Sequence, residues 1–530
     1  MKRFNTAGKC LPARHYRVDL TDRVEEIKEM VDNGDYFCIN RGRQYGKTTT
    51  LAALAARLAD EYTVFSISFE GLGNSAFATE DALVRAFIGC LAQLVEYGGA
   101  RHVTPKQKAL LKLEPAQAKC YSMADARAWI GKFCAAAEKP VAVLIDEVDQ
   151  ASNYDVFVKF LGVLRSTFLA RDVIPAFHCV ILAGVYDIKH LKAKIRPDSE
   201  HQYNSPWNIA VEFEVDMDLH RQGIAGMLAE YEADHHTGMD VDAMAQRLAD
   251  YTGGYPFLVS RLCQLMDVTL PKQPEFAAPG AAWTKEGFLA AEKLLLQEKN
   301  TLFDDFARKL EEYPSLKALL RKLLFLGEDT SFNVYEQAQS QAQMFNYIRN
   351  EGNHVVVANR IFETWLYNLF LAEDSMKNME LNASGARDHF QFVEDGRLNL
   401  KLLLERFIVH FHDIYGKQPA SFVEAEGRNL FMLYLKPLLN GRGHFYVEAE
   451  TRDSTRMDLV VNYQGEEFIV ELKIWRGPEY NEKAERQLCG YLAHRHADTG
   501  YLVTFNFNRK SAPGVVVRER DGKTLVEAIV

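Results

Sequence analysis

The chain has 530 residues, 48% hydrophobic and 25% charged, too long for one hydrophobic core and too ordinary in composition for wholesale disorder. Its 62 Lys and Arg against 72 Asp and Glu give a net charge of −10, which excludes a passive polycation coating nucleic acid but not a local basic groove. No apolar run reaches membrane-spanning length, and Met1-Lys2-Arg3-Phe4-Asn5 leads into no apolar signal segment, so a soluble cytoplasmic protein without a membrane partner is expected.

Residues 36–186 alternate short apolar strands with amphipathic helices, the pattern of an α/β sheet. Strands are expected at 36–40, 63–69, 141–146 and 179–186, with an alanine-rich helix over 47–58 and helix again up to residue 97. The strands are almost continuously apolar, which suits parallel strands covered on both faces. Residues 215–270 read as helical, with a Gly-Gly-Tyr-Pro turn at 253–256 feeding a further helix. Residues 300–372 combine helices with a short strand at 354–358, as in a small winged-helix-like domain, and 373–396 form a polar linker. Helix returns over 397–436, and 445–505 read as three strands, a helix and a further strand. Residues 381–530 carry 20 basic and 21 acidic residues, so this end repels a polyanion least. Eight cysteines without a CxxC pair read as reduced thiols, with structural zinc not expected.

The first strand runs into Arg41-Gly42-Arg43-Gln44-Tyr45-Gly46-Lys47-Thr48 and then the helix. Phosphate binding needs unpaired backbone N–H groups, the positive end of a helix dipole and an ammonium, and this segment supplies all three in P-loop order. Gly46 allows close approach, Lys47 reaches the β- and γ-phosphates, and Thr48 serves Mg²⁺. Arg41 stands where the pattern has its first Gly, and Gly42 is expected to take the left-handed turn instead. Val141-Ala142-Val143-Leu144-Ile145-Asp146-Glu147 is an apolar strand ending in two carboxylates. Asp146 is suited to hold Mg²⁺ through water or Thr48, and Glu147 to orient and deprotonate the attacking water. The expected ATP site is Gly42, Gln44, Tyr45, Gly46, Lys47, Thr48, Thr49 and Asp146, with Glu147 catalytic.

This part resembles bacterial AAA-like ATPases related to the STAND and archaeal-ATPase branch. The resemblance covers roughly residues 1–370 and is carried by FNTAG at 4–8, His15-Tyr16, RQYGKTT at 43–49, LAGVYDIKHLK at 182–192, SPWNIA at 205–210 and GGYPFL at 253–258. It implies an ATPase core, a helical lid and a winged-helix-like appendage, with the Gly-Tyr-Pro turn setting the lid helix over the nucleotide. An arginine finger is not implied; Arg196 and Arg261 stand as γ-phosphate sensor candidates, and Tyr186-Asp187 is either at the sensor position or a purely structural strand end.

A second constellation begins at Arg456-Met457-Asp458-Leu459-Val460-Val461, with EFIVELKI at 467–474 as its hairpin partner across residues 462–466. Glu471 and Lys473 are two apart and share a face, and the hairpin brings Asp458 beside them. Two carboxylates and a lysine on one sheet face suit Mg²⁺, activation of water and stabilisation of charge on a scissile phosphate. Glu-x-Lys alone is common on solvent-facing strands, but the apolar neighbours of Glu471 point to a central strand. Gln487 and Tyr491 follow at i and i+4 on a helix.

Asp458, Glu471-Leu472-Lys473 and Gln487-xxx-Tyr491 resemble the PD-(D/E)xK nuclease superfamily, in the branch fused behind AAA-like ATPases, within about residues 397–515. Met457 replaces the Pro of the family name. The resemblance implies a further metal-ligating Glu from the preceding helix, for which Glu426 is the candidate and Glu424 and Glu448 are rivals. Arg428, Arg476 and Lys510 are phosphate-contact candidates, whereas the aromatics at 431–434 and 505–507 read mainly as core.

With the two family resemblances, the expected domains are a core at 1–214, a helical lid at 215–299, a winged-helix-like domain at 300–372, the linker at 373–396 and a C-terminal domain at 397–530. For the last of these the resemblance implies a restriction-endonuclease-like α/β/α fold. The expected function is ATP hydrolysis coupled to Mg²⁺-dependent cleavage of DNA, with DNA as partner, defence against phage or mobile DNA as the use that fits by analogy, and a homo-oligomer left open. Two alternatives stay open: a signalling or scaffold ATPase whose nuclease-like domain only binds, and a DNA translocase.

Overall fold

The computed structural model describes residues 2–185, 207–326, 330–377, 389–394, 397–415, 424–439, 443–446, 459–463, 466–475, 477–494, 497–506 and 512–530. They form two units: residues 1–249, 253–284 and 344–346 make the first, and residues 250–252, 285–343 and 347–530 the second. No helix among the described residues is long and apolar enough to cross a membrane.

In the first unit β1 (Arg3–Phe4) pairs in parallel with β2 (His15–Tyr16). Phe4 and Tyr16 are buried against each other and against Tyr231. Helix α1 (Thr21–Asp32) buries Val24, Ile27 and Val31, a helical spacing, and leads into β3 (Tyr36–Asn40). The chain continues through α2 (Lys47–Leu58), β4 (Thr63–Ser68), α3 (Glu80–Glu96), α4 (Pro105–Leu110), α5 (Met123–Ala135), β5 (Val141–Asp146), α6 (Asp155–Leu169) and β6 (Cys179–Gly184). The four strands β3 to β6 are all parallel, in the order β3-β6-β5-β4. Every residue of β5 and β6 is buried, as their continuous apolar sequences require. The order puts β6 between the two motif-bearing strands β3 and β5. Strand β6 stops at Gly184, before the expected end, and Tyr186-Asp187 and Arg196 lie outside the described residues.

The lid region is helical from Arg221: α7 (Arg221–His235), α8 (Val241–Thr252) and α9 (Pro256–Gln264), whereas residues 215–220 are not helical as expected. Pro256 is the first residue of α9, where its missing N–H costs no hydrogen bond.

The second unit opens with α10 (Lys285–Gln297), α11 (Thr301–Glu312), α12 (Pro314–Arg321) and α13 (Gln337–Met344). The hairpin β7 (Ile348–Glu351) and β8 (His354–Val357) follows, then α14 (Arg360–Lys377). Residues 373–377 complete α14 and are not linker: Asp374 takes a bidentate ion pair from Arg321, with bonds of 2.9 and 3.0 Å. After the short pair β9 (Val393–Glu394) and β10 (Arg397–Leu398) come α15 (Leu400–Tyr415) and α16 (Glu424–Leu439). The closing sheet comprises β11 (Gly443–Tyr446), β12 (Leu459–Tyr463), β13 (Glu466–Ile474), β14 (Thr499–Phe505), β15 (Gly514–Arg520) and β16 (Lys523–Ile529), with α17 (Pro478–His494) between β13 and β14. Its order is β11-β12-β13-β14-β16-β15, so β13 is interior. Leu488 and Leu492 of α17 pack with Ile469, Leu502 and Leu525 on one face. Gly500 makes room for them, since a β-carbon there would stand 2.8 Å from Leu492.

Candidate active sites

The loop between β3 and α2 owes its shape to two left-handed residues, Gln44 (φ 57) and Gly46 (φ 79), the latter capping α2. Gly42 has no positive φ, which corrects the expected left-handed turn. Its side is instead crowded, since a β-carbon would run into the Asn346 amide and approach the Tyr255 hydroxyl at 3.4 Å. Arg41 needs no glycine because it extends the pairing with β6, its N–H donating to Gly184 O at 3.2 Å. Its guanidinium donates to the Asn40 and Val215 carbonyls.

Lys47 is buried inside the loop, its Nζ donating at 2.9 Å to the carbonyls of both Arg41 and Gly42. Burial holds this ammonium below its ordinary pKa, opposed by Asp149, Glu147 and Asp146. Thr48 Oγ1 donates to Asp146 Oδ2 at 2.6 Å, so two hard oxygen donors meet where β5 ends and α2 begins. Glu147 is left-handed (φ 54), with its N–H bonded to Asp146 Oδ1, and burial raises its carboxyl above the usual range against the pull of Lys47. A carboxyl with a raised pKa that feels a nearby ammonium is suited to proton transfer.

Other expected residues of this loop play supporting parts. The Thr49 hydroxyl accepts from Cys10 N at 3.1 Å, turning to the N-terminal segment. Tyr45 is buried, its hydroxyl bonded to Asp218 and its ring edge-on to Tyr255 at 4.6 Å. Tyr255 in turn donates to the Arg43 carbonyl, and Pro256 sits 3.9 Å from where a Gly46 β-carbon would be. The start of α9 therefore abuts the loop. Arg261 bonds Gln264 on its own helix. Sequence reasoning overlooks Asp149, whose Oδ2 accepts Val185 N at 2.6 Å and whose charge leads those supporting Lys47. An acid three places after Asp146 is its one visible signal.

In the second unit Glu471 is fully buried on β13, and Lys473 Nζ lies 3.0 Å from its Oε1 on the same face. The ladder pairs Leu459 with Val470, and β12 continues through Tyr463 to pair with Glu466. The connection is thus shorter than residues 462–466, because Asn462 and Tyr463 are buried strand residues. On α17, which packs over this face, Gln487 Nε2 donates to the Tyr491 hydroxyl at 2.6 Å. Asp458, Glu448, Arg476 and Lys510 lie outside the described residues, as do the side chains of Glu424 and Glu426 on α16. Among the described residues no cluster of three or more His, Cys, Asp or Glu is arranged for a metal. Glu471 fits as one hard oxygen ligand, with an ammonium beside it to meet a phosphate. Arg428 is buried on α16, which removes it as a surface phosphate contact, and Phe431, Tyr434 and Phe505 are core.

Residues 444–516 match the model of the PD-(D/E)XK nuclease superfamily, a span that includes Glu471, Lys473, Gln487 and Tyr491. Among solved structures the chain is similar to a Walker-type ATPase of Pyrococcus abyssi, with 13% identity and a TM-score of 0.49 over 68% of this chain and 99% of that one. It is also similar to the ORC2 protein of Aeropyrum pernix in ADPNP–ADP complexes, with 12% identity and a TM-score of 0.38 over 67% and 95%. The ORC1 protein of the same organism in complex with DNA gives 14% and 0.31 over 67% and 94%. No curated protein matches the chain.

Proposed function

We propose that this protein hydrolyses ATP in its first unit and cleaves DNA phosphodiesters with Mg²⁺ in its C-terminal domain, in the cytoplasm. The nucleotide module would occupy residues 1–214, with a lid at 215–299, a winged-helix-like part at 300–372 whose last helix runs on to 377, a linking stretch from there to 396 and the nuclease at 397–530. The observation that carries the nuclease half is the buried Glu471–Lys473 pair on an interior strand of a segment with PD-(D/E)XK character.

In the nucleotide site Lys47 neutralises phosphate oxygens, Thr48 and Asp146 hold Mg²⁺, and Glu147 orients water and takes its proton. In the nuclease site Asp458, Glu471 and Glu426 hold the metal. Asp458 immediately precedes Leu459, whose partner Val470 immediately precedes Glu471. Mg²⁺ supplies charge neutralisation and a more acidic water at each site. Lys473 faces the scissile phosphate, and Gln487 orients groups around it. Defence against phage or mobile DNA fits the pairing of activities by analogy.

The test incubates purified protein with linear, circular and single-stranded DNA, with and without ATP and Mg²⁺. Mg²⁺-dependent cleavage that Glu471→Ala abolishes supports the reading; no cleavage under any condition sinks it and favours a domain that only binds.

A further inference from the structure

The carboxyl-terminal ends of β13, β14 and β16 and the start of α17 enclose a cavity of about 440 Å³ whose lining includes Trp475, Asn481, Glu485, Thr504, Arg518 and Glu527. Ligand pockets in α/β sheets favour such strand ends, and this volume suits a molecule the size of a nucleoside. The lining is built from buried polar groups: Glu527 is 3% exposed, Thr504 1% and Asn481 7%.

Most of their hydrogen-bonding capacity is spent inside the protein. Glu527 Oε1 accepts from Asn481 Nδ2 and from Thr504 Oγ1, both at 3.1 Å. Glu485 accepts from Arg518 at one oxygen and from Arg520 at the other. Glu527 Oε2 is different: it is buried and accepts no hydrogen bond, with Arg518 Nη2 near at 3.3 Å but not aligned to donate. A carboxylate oxygen can only accept, so this atom calls for an N–H donor from a ligand. The two carboxylates already face two guanidinium groups, so a neutral donor fits better than another cation. Trp475 adds a flat apolar wall.

The cavity also lies beside the proposed scissile position. Thr504 is the register partner of Lys473 on the neighbouring strand, about 4.8 Å away. A single strand crossing Glu471 and Lys473 would bring an adjacent base over Thr504 and Glu527. We propose that this cavity reads a nucleobase carrying an exocyclic amino group, such as cytosine or adenine, with Glu527 Oε2 as its acceptor and Trp475 stacking on the ring. Thymine is disfavoured because its one N–H sits between two carbonyl oxygens that a carboxylate repels. This specificity rests on the nuclease reading for its substrate.

The test measures binding of the full-length protein to twelve-residue oligonucleotides of deoxycytidine and of thymidine, in EDTA so that no cleavage occurs. Wild type is expected to bind the cytosine strand about tenfold more tightly, the scale of one hydrogen bond to a charged group. Glu527→Gln should shrink that preference below about threefold, and Trp475→Ala should weaken both strands about tenfold alike. Equal wild-type affinity, no binding of either strand, or a preference that Glu527→Gln retains overturns the proposal. If Glu527→Gln does not fold, the wild-type preference decides together with Trp475→Ala. Absence of Mg²⁺-dependent cleavage, measured separately, sinks the nuclease reading and leaves the pocket judged on binding.

Discussion

The Tyr255 hydroxyl donates to the main-chain carbonyl of Arg43, tying the Gly-Gly-Tyr-Pro turn to the loop that carries Lys47. Gly254 makes this possible: it is left-handed at φ 77, and a β-carbon there would stand 2.7 Å and 2.8 Å from the Leu219 backbone. Neither backbone atom can swing away as a side-chain tip can. The turn thus fixes where α9 begins relative to the loop.

Tyr255→Phe keeps the ring against Tyr45 but loses the bond, so ATP affinity should fall about fivefold, the scale of one hydrogen bond. Gly254→Ala should cost about 2 kcal/mol or more of stability and lower the melting temperature as well as affinity. Titration with a fluorescent ATP analogue and thermal melts check both. Unchanged affinity in Tyr255→Phe would show that the tie has no part in nucleotide binding.

Lys47→Ala should abolish ATP binding, because the loop loses the ammonium held between the Arg41 and Gly42 carbonyls. Glu147→Gln should keep binding and lose at least about a hundredfold in turnover, since it retains shape without accepting a proton. Titration with ATP distinguishes them, and phosphate release at saturating ATP measures the turnover that Glu147→Gln loses. Wild-type turnover by Glu147→Gln would remove it from catalysis.

How far these sites are legible in the sequence follows from what determines each of them. Strands β3 and β5 and helix α2 are readable residue for residue, because doubly covered strands must be apolar throughout and an alanine-rich amphipathic stretch admits little else. The meeting of Glu471 and Lys473 follows from the two-residue period of a strand. Asp149 is illegible because its bond to Val185 depends on β6 lying between β3 and β5, a matter of sheet order. Strand β7 escapes notice because Ile348 is its one apolar residue, the rest being exposed. The β15–β16 hairpin carries a signal in Asp521-Gly522, both left-handed, but exposed Val516 and Val517 and three charges mask the strand before it.

Glu292 gives a pH dependence with a definite sign. It is 2% exposed on α10, and burial pushes its carboxyl up from 4.5 to about 8, partly opposed by Arg360. Between those values the unfolded chain is ionised while the folded one keeps its proton, so stability falls as pH rises from about 4.5 to 8 and levels off above. Glu292→Gln removes this penalty, which grows by at most about 1.4 kcal/mol for each pH unit between the two values. Its melting temperature should exceed wild type by several degrees at about pH 8.5 and approach it near pH 5. An equal difference at both pH values would contradict a protonated Glu292 in the folded protein.

For the coupling expected between the two activities, we propose that nucleotide occupancy governs cleavage. Linkage requires that the cleaving state bind ATP, ADP or no nucleotide with an affinity different from that of the idle state. The decisive measurement is the initial rate of Mg²⁺-dependent DNA cleavage by wild type, Lys47→Ala and Asp458→Ala, each with ATP, with ADP and without nucleotide. We expect wild-type rates to differ among the three conditions, Lys47→Ala to lose that difference, and Asp458→Ala to lose cleavage while keeping ATP hydrolysis. Identical cleavage by wild type and Lys47→Ala in all three conditions would show two independent enzymes on one chain.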